Sequence, residues 1–250
     1  MATANFRFLA ELNDFLPPSK RRVSFTHEFK ERASIKDTIE SLGVPHPEVD
    51  AIVVNGEPVD FSYIVRDCDR IEVYPISASG RVTSPVSVRP PALSTYRFVL
   101  DVHLGKLAAS LRLLGFDTLY RNNYDDEELA EISASQQRIL LTRDRGLLMR
   151  SLVTYGYYVR QTDPEQQIVE VLRRFDLFES VQPFQRCIRC NGLLKPVSKE
   201  SVLDRLPQQT QLSINEFHSC KSCQQIYWKG SHYERMLKFV KEVLNSRESV

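Results

Sequence analysis

Two sets of residues in this 250-residue chain have types and spacings that could do chemistry. The first is a series of carboxylates. Asp101 in FVLD, Asp125 and Asp126 in YDDEEL, Asp144 in LLTRD and Asp163 in TDPE each follow a short apolar run. Carboxylates brought together repel one another unless a positive charge sits among them. Hard, oxygen-seeking cations such as Mg²⁺ or Mn²⁺ suit such a group. Two such ions about 4 Å apart can activate a water, clamp a phosphate and stabilise its leaving oxygen. Lys106, Arg112, Arg143 and Arg145 lie close by in sequence and are the candidates to meet phosphates. The second set is Cys187-x2-Cys190 and Cys220-x2-Cys223, separated by 29 residues. Two such pairs hold Zn²⁺ tetrahedrally through four thiolates, a closed site with a structural role. Disulfides are the alternative and are disfavoured in a reducing compartment.

Each residue also has a plainer reading. Asp126 and Asp163 are good helix caps, and Pro164 is well placed as a first helical residue. Asp101 has no evident need to cap anything. Arg143 and Arg145 could pair with Asp144 between them, and Arg112 could lie on a helix surface. His218 could substitute as a metal ligand or be a surface residue, and Cys68 reads as a small buried apolar residue. Tyr227, Trp228, Lys229, His232, Tyr233 and Arg235 interleave aromatics with cations after the last cysteine. Trp228 and Lys229 lead this group as candidates to stack bases and contact phosphates. The alternative is that the rings pack the cysteine module against the helix that follows.

The elements that must position these residues can be read from periodicity. Within 96–180 the strands YRFVL, DTLY, RILLT and YYVR alternate with helices near 104–114, 126–137, 145–153 and 164–175, so a parallel sheet with helices on both faces is expected. In such a sheet the strand ends share one edge, where ligands bind. Residues 1–80 give strands at NFRFLAEL and RRVSFTHEF, a helix capped by Ser34 and stopped at Gly43, a strand running into Asn55-Gly56, and a last strand DRIEVYPI. That order, β-β-α-β-β, is similar to an α+β ubiquitin-like β-grasp. The unit runs on through Ser77-Ala78-Ser79-Gly80 and lacks a free Gly-Gly end, which disfavours sulfur carriage or conjugation and leaves docking of a partner or substrate. Residues 81–95, with Pro85, Pro90 and Pro91, read as an extended linker. A zinc ribbon with a hairpin-like spacer is expected at 184–230, and an amphipathic helix and tail at 231–250.

The runs FVLDVHLGKLAASLRLLGFDTLY, DDEEL and RILLTRDRGLL, with CIRCNGLLKPVSKE and SCKSCQQIYWKGSHYERM, resemble the Mut-seven C-terminal ribonuclease family. Its members are PIN-like nucleases with an appended zinc ribbon, some with a ubiquitin-like extension. The resemblance covers 96–235 and implies metal-dependent RNA cleavage, with Asp101, Asp126 and Asp144 as the ligands of Mg²⁺ or Mn²⁺. It matches Asp101 to the first acid, Asp144 to the acid of the TRD run and Asp126, with Asp125 beside it, to the acid at a helix start. Asp163 is the loosest match. Glu127 and Glu128 are the candidates for the glutamate many such nucleases carry in mid-cluster.

Composition sets outer bounds. Residues 186–250 carry 11 basic and 6 acidic side chains, against 11 and 13 in each of 1–95 and 96–180, so the positive charge is concentrated at the C-terminal end. No stretch reaches the roughly 20 apolar residues of a membrane span, and the first residues do not read as a signal peptide, so a cytoplasmic location is the default. The leading reading is an endoribonuclease acting on structured RNA, with transfer RNA a candidate substrate, and a protein partner on the ubiquitin-like domain. The alternative is a non-catalytic RNA-binding adaptor using the zinc ribbon and the β-grasp domain. A phosphoacceptor domain is a further use of strand-end aspartates.

Overall fold

A computed structural model describes residues 1–79 and 88–248. In chain order the elements are β1 (Ala2–Phe8), β2 (Phe25–Phe29), α1 (Ile35–Ser41), β3 (Ala51–Val54), β4 (Glu57–Val59), β5 (Arg70–Tyr74), α2 (Ile76–Ser79), β6 (Arg97–Leu100), α3 (Gly105–Leu113), β7 (Asp117–Leu119), α4 (Asp126–Gln136), β8 (Ile139–Thr142), α5 (Arg145–Leu148), β9 (Gly156–Tyr158), α6 (Pro164–Arg174), β10 (Leu194–Val197), α7 (Gln208–Ser213), β11 (Phe217–Cys220), β12 (Ile226–Trp228) and α8 (Ser231–Asn245). The architecture is mixed α/β: an N-terminal sheet, parallel strands flanked by helices, and a cysteine-bearing sheet near the C-terminus. Pro85 of the expected linker lies outside the described residues.

By internal contacts the chain divides into two compact units, Met1–Thr95 with Asp126–Tyr158, and Tyr96–Asp125 with Val159–Val250. The division cuts through the segment expected to form one α/β domain.

The first unit is built on a five-stranded sheet of order β2-β1-β5-β3-β4, in which β1 and β5 run parallel and the other pairs antiparallel. Alternation along β1 buries Ala4, Phe6 and Phe8. Ile35 and Ile39 of α1 and Ile71 and Val73 of β5 complete that core. Burial of each such side chain contributes about 1.5–3 kcal/mol. Ser34 caps α1 as expected, its Oγ accepting from Asp37 N at 3.1 Å. Asn55 and Gly56 take φ of 54° and 92°, the pair of left-handed residues that a two-residue hairpin between β3 and β4 requires. Two expectations fail here. The strand at the N-terminus ends at Phe8, and Ala10–Phe15 turn into a 3₁₀ helix. Cys68 is exposed, at a φ of 66°, where it closes the turn into β5 by donating its N–H to Thr3 O.

The same unit contains α4, β8, α5 and β9, with β8 and β9 paired in parallel and α4 and α5 packed on β8. The β-grasp sheet and this segment are joined by specific contacts. The His46 ring bridges Glu40 Oε1 (2.6 Å) and Val153 O (2.8 Å). Tyr158 N donates to Glu48 Oε1 at 2.7 Å, and its ring stands edge-on to Phe15 with centroids 5.3 Å apart. Tyr155 OH donates to Pro91 O at 2.9 Å, and Arg89 pairs with Asp50 at 3.1 Å, so residues 88–91 are held against this unit. Helix α5 is four residues long where a helix to residue 153 was expected. The chain leaves it through tight turns, Arg150 N to Leu147 O and Val153 N to Arg150 O, which buries Val153.

In the second unit β6 pairs in parallel with β7, and α3 packs on β7 and α6. Gly115 ends α3 at a φ of 99°. A Cβ there would stand 2.2 Å from Gln182 O, so both the backbone conformation and the close approach demand glycine. The third sheet, order β10-β11-β12, is antiparallel throughout. The spacer between the cysteine pairs is no simple hairpin. A 3₁₀ helix (Glu200–Arg205) and α7 interrupt it, and Val202 and Leu206 pack with Phe217 and Ile226. Among the described residues no helix is long and apolar enough to cross a membrane.

Candidate functional site

The four cysteines are brought together by two knuckles of the same design. In the first, Cys187 N donates to Gly192 O at 2.8 Å and Asn191 N to Cys187 O at 2.9 Å. In the second, Cys220 N donates to Gln225 O at 2.9 Å and Gln224 N to Cys220 O at 3.1 Å. Asn191 and Gln224 turn each knuckle at φ of 72° and 58°. The sulfurs stand 3.6 Å (Cys187–Cys223) and 3.4 Å (Cys190–Cys220) apart, and all four lie within 4.8 Å of one another. A tetrahedral ion at Zn–S about 2.3 Å sets sulfurs about 3.8 Å apart, so the donor set fits a zinc ion. Burial pushes the Cys190 thiol up to about 12. Burial also raises Cys220, but the backbone N–H groups of Cys223 and Ser222 outweigh it and bring that thiol down to about 7. Tyr227 OH lies 3.0 Å from Cys187 Sγ, and its phenol is strongly raised, by burial first and then by that contact. His218, weighed as a ligand, lies on β11 outside the sulfur group.

Arg112 is the largest departure from expectation. It is only 4% exposed, and neither meets solvent phosphate nor rides a helix surface. Its Nε donates to Thr118 O (2.9 Å), its Nη1 to Ile188 O (3.2 Å) and Arg189 O (3.0 Å), and its Nη2 to Tyr120 O (3.4 Å). Ile188 and Arg189 are the two residues inside the first knuckle, so the guanidinium ties α3 and β7 to the cysteine module. Burial pulls Arg112 below its usual pKa, and the Cys190 and Cys187 sulfurs oppose the shift. Four thiolates around one divalent ion carry a net charge of −2, and Arg112 is a buried cation placed to offset part of it. Asn191 adds a second tie, accepting from Thr118 N (3.0 Å) and donating to Asp117 Oδ1 (2.8 Å). The Cys187-x2-Cys190 spacing marks the knuckle in the sequence, but nothing in it points to Arg112 as partner.

The aspartates fall in both units, and Asp101, Asp144 and Asp163 each have a local task as a cap. Asp101 follows β6 and is 5% exposed. Its Oδ1 accepts from His103 N at 2.9 Å and caps the 3₁₀ turn Val102–Leu104, so a need for a cap exists where none was evident. Asp144 follows β8 and caps α5, its Oδ1 accepting from Gly146 N (2.7 Å) and Leu147 N (3.3 Å). Asp163 caps α6 through Oδ1, accepting from Glu165 N (3.0 Å) and Gln166 N (3.1 Å). Asp126 opens α4, with Glu127 and Glu128 in the same first turn, and its Oδ2 stands 3.9 Å from Arg150 across an exposed pair. Asp125 is the exposed residue before that helix. Within the described residues, the Oδ2 atoms of Asp144 and Asp163 have no hydrogen-bond partner.

The expected phosphate contacts divide. Lys106 is exposed at the start of α3, and Arg143 is half-buried just after β8. Arg145 is committed elsewhere, since its Nη1 donates to Phe15 O at 3.0 Å, and it does not pair with Asp144. Lys229 is exposed and pairs with Glu216 at 2.6 Å. Trp228 is half-buried and packs against Phe217 of the neighbouring strand β11, ring centroids 6.5 Å apart, a contact within the cysteine-bearing sheet and not with the helix that follows.

The family model for the Mut7-C RNAse domain matches residues 96–240, and that for Mut7-C ubiquitin matches residues 1–81. No curated protein and no solved structure matches the chain. The first match spans more than half of the sequence, and on it the chain belongs to the Mut7-C RNAse-domain family, with a Mut7-C ubiquitin domain ahead of that domain.

Proposed function

We propose that this chain is a divalent-metal-dependent endoribonuclease, with Asp101, Asp126 and Asp144 as ligands of Mg²⁺ or Mn²⁺ and Asp163 and Asp125 completing or orienting the set. The observation that carries the reading, beside the family, is the way these carboxylates are used. Asp144 spends Oδ1 on its own helix cap and leaves Oδ2 without a protein partner. Cap and ligand are therefore compatible roles for one side chain, and the cap fixes the direction in which the remaining oxygen points. Bound there, the ions would supply activation of a water and charge stabilisation at the scissile phosphate.

The chain's own residues do the rest. Asp101 closes the turn between β6 and α3, which puts Lys106 on the first turn of that helix as a cation for the RNA backbone. Arg143 serves similarly beside Asp144. Arg112 and Arg145 are withdrawn from the phosphate role, since their guanidiniums are held by backbone carbonyls. The four cysteines are proposed to hold a structural Zn²⁺, and structured RNA such as transfer RNA is the proposed substrate. The ubiquitin-like domain is proposed to recruit a protein partner.

Purified, zinc-loaded protein incubated with total cellular RNA should give cuts that appear with Mn²⁺ and vanish in Asp101→Asn and Asp144→Asn, read by sequencing fragment ends. Cuts that persist in both variants would remove the aspartates from the site. Metal-independent RNA binding without any cleavage would instead favour the non-catalytic adaptor, the reading that the basic C-terminal module supports.

A further inference from the structure

A cavity of about 200 Å³ opens in the second unit between β11, β12 and the start of α8. Phe184, Tyr233 and Trp228 bring rings to it, and His218, Glu216 and Lys229 bring polar groups. It is smaller than the roughly 300–1,000 Å³ of pockets that hold drug-sized ligands, and suits a single ring system. Phe184 and Tyr233 stand with ring centroids 4.7 Å apart, inclined at 35°. Phe184 is held at a φ of 63°, which bulky residues rarely adopt, and its N–H is anchored on Leu113 O at 2.9 Å. Among the described residues the Trp228 indole N–H, the His218 imidazole and the Tyr233 hydroxyl make no hydrogen bond, although all three residues are half-buried. Lys229 and Glu216 form an exposed ion pair beside the cavity.

Ring surfaces set around unused donors and acceptors are what an unpaired nucleobase needs: a face to stack on and an edge to pair with. The surrounding module is basic, 11 cations to 6 anions over residues 186–250, which favours an anionic ligand, and the ring-lined wall favours a strand with bases to stack over an acidic peptide. We propose that this cavity takes one unpaired base of a single-stranded RNA segment, stacked against the wall of Phe184, Tyr233 and Trp228, with Lys229 meeting the adjoining phosphate. The proposal rests on the reading that RNA is the ligand, but it does not depend on cleavage.

Trp228 is the only tryptophan in the chain, so tryptophan emission, excited beyond the tyrosine band, reports on this cavity alone. The full zinc-loaded protein is titrated with a labelled six-nucleotide oligoadenylate, with no Mg²⁺ or Mn²⁺ present. Saturable quenching of Trp228 is expected, at the midpoint given by the anisotropy of the label. Inorganic polyphosphate, which has the charge without the bases, should leave the emission unchanged. Tyr233→Leu should weaken the oligonucleotide about tenfold, the size of one lost stacking partner. His218→Ala, at a position outside the sulfur group, should weaken it several-fold with zinc content unchanged. Binding with no change in emission, equal quenching by polyphosphate, or no binding at all would each overturn the proposal. Quenching in a protein that cleaves nothing would support the base pocket and count against the nuclease. Cleavage without quenching would do the reverse.

Discussion

The cysteines and the aspartates were both marked by sequence pattern, yet the protein holds them in opposite ways. The sulfurs converge in one unit through two short knuckles whose backbone bonds repeat each other, and their mutual distances already suit one ion. The aspartates are distributed over both units, and Asp101, Asp144 and Asp163 are each fixed first by a turn of their own. A cluster made by local geometry owes much of its stability to the ion it holds. A carboxylate set built largely of separate caps can stand without an ion, because Asp101, Asp144 and Asp163 each already accept from a backbone N–H. Metal removal should therefore be ruinous in one region and structurally mild in the other.

The largest effect that could break this comparison is on the ribbon. Zinc in knuckle peptides binds with about 10–16 kcal/mol, so chelation, or Cys187→Ser with Cys220→Ser, is expected to unfold the module around residues 184–230. Limited proteolysis with zinc analysis checks this, and a module equally resistant with and without metal would erase the contrast. Next is the charge of the caps. Asn caps about as well as Asp, so Asp101→Asn and Asp144→Asn should cut metal-dependent cleavage about a hundredfold or more while moving the Tm by no more than about 4 °C. Asp144→Ala, which loses the cap as well, should cost about 1 kcal/mol in addition.

A third effect sharpens the comparison where α3 is tied to the first knuckle. Arg112→Met strands four carbonyl oxygens and leaves the thiolates without their buried cation, for an expected loss of about 2–4 kcal/mol in urea unfolding and faster loss of zinc to a chelator. Lys106→Met, at an exposed position, should leave unfolding unchanged and weaken RNA binding alone. An Arg112→Met protein that unfolds and holds zinc normally would show that the tie between α3 and the first knuckle is dispensable. The smallest effect is expected at Asp163→Asn, within about 0.5 kcal/mol in stability, with cleavage reduced only a few-fold. A loss there as deep as at Asp144 would promote Asp163 to a principal ligand.

Local chemistry was legible in the sequence, and long-range use of side chains was not. The Ser34 cap, the Asn55-Gly56 turn, the Gly115 stop and the strands ending before Asp101 and Asp144 rest on residue type and periods of two or 3.6, which the sequence displays. Helix α5 was read too long because Leu147, Leu148 and Val153 keep an apolar pattern through a stretch that folds as successive tight turns. The fates of Arg112, bonded to residues 76 and 77 positions away, and of Arg145, bonded 130 positions away, were hidden. A cation's partner depends on tertiary approach, and an arginine beside an aspartate in sequence gives no sign that its guanidinium is needed by a distant carbonyl. His46, reaching Val153 across 107 positions, is a similar case. That tie, with those of Tyr158 to Glu48 and Phe15, explains why the β-grasp sheet and the segment Asp126–Tyr158 form one compact unit.

The claim on which the rest depends is that carboxylates already engaged as caps still bind a divalent ion. Titrating the zinc-loaded chain with Mn²⁺ and counting free Mn²⁺ by electron paramagnetic resonance tests it directly. The account predicts saturable Mn²⁺ binding that is lost in the Asp101→Asn, Asp144→Asn double variant while zinc content stays at its wild-type value and the Tm moves by no more than about 4 °C. Mn²⁺ bound equally well by that variant, or not bound by the wild-type chain, would contradict it.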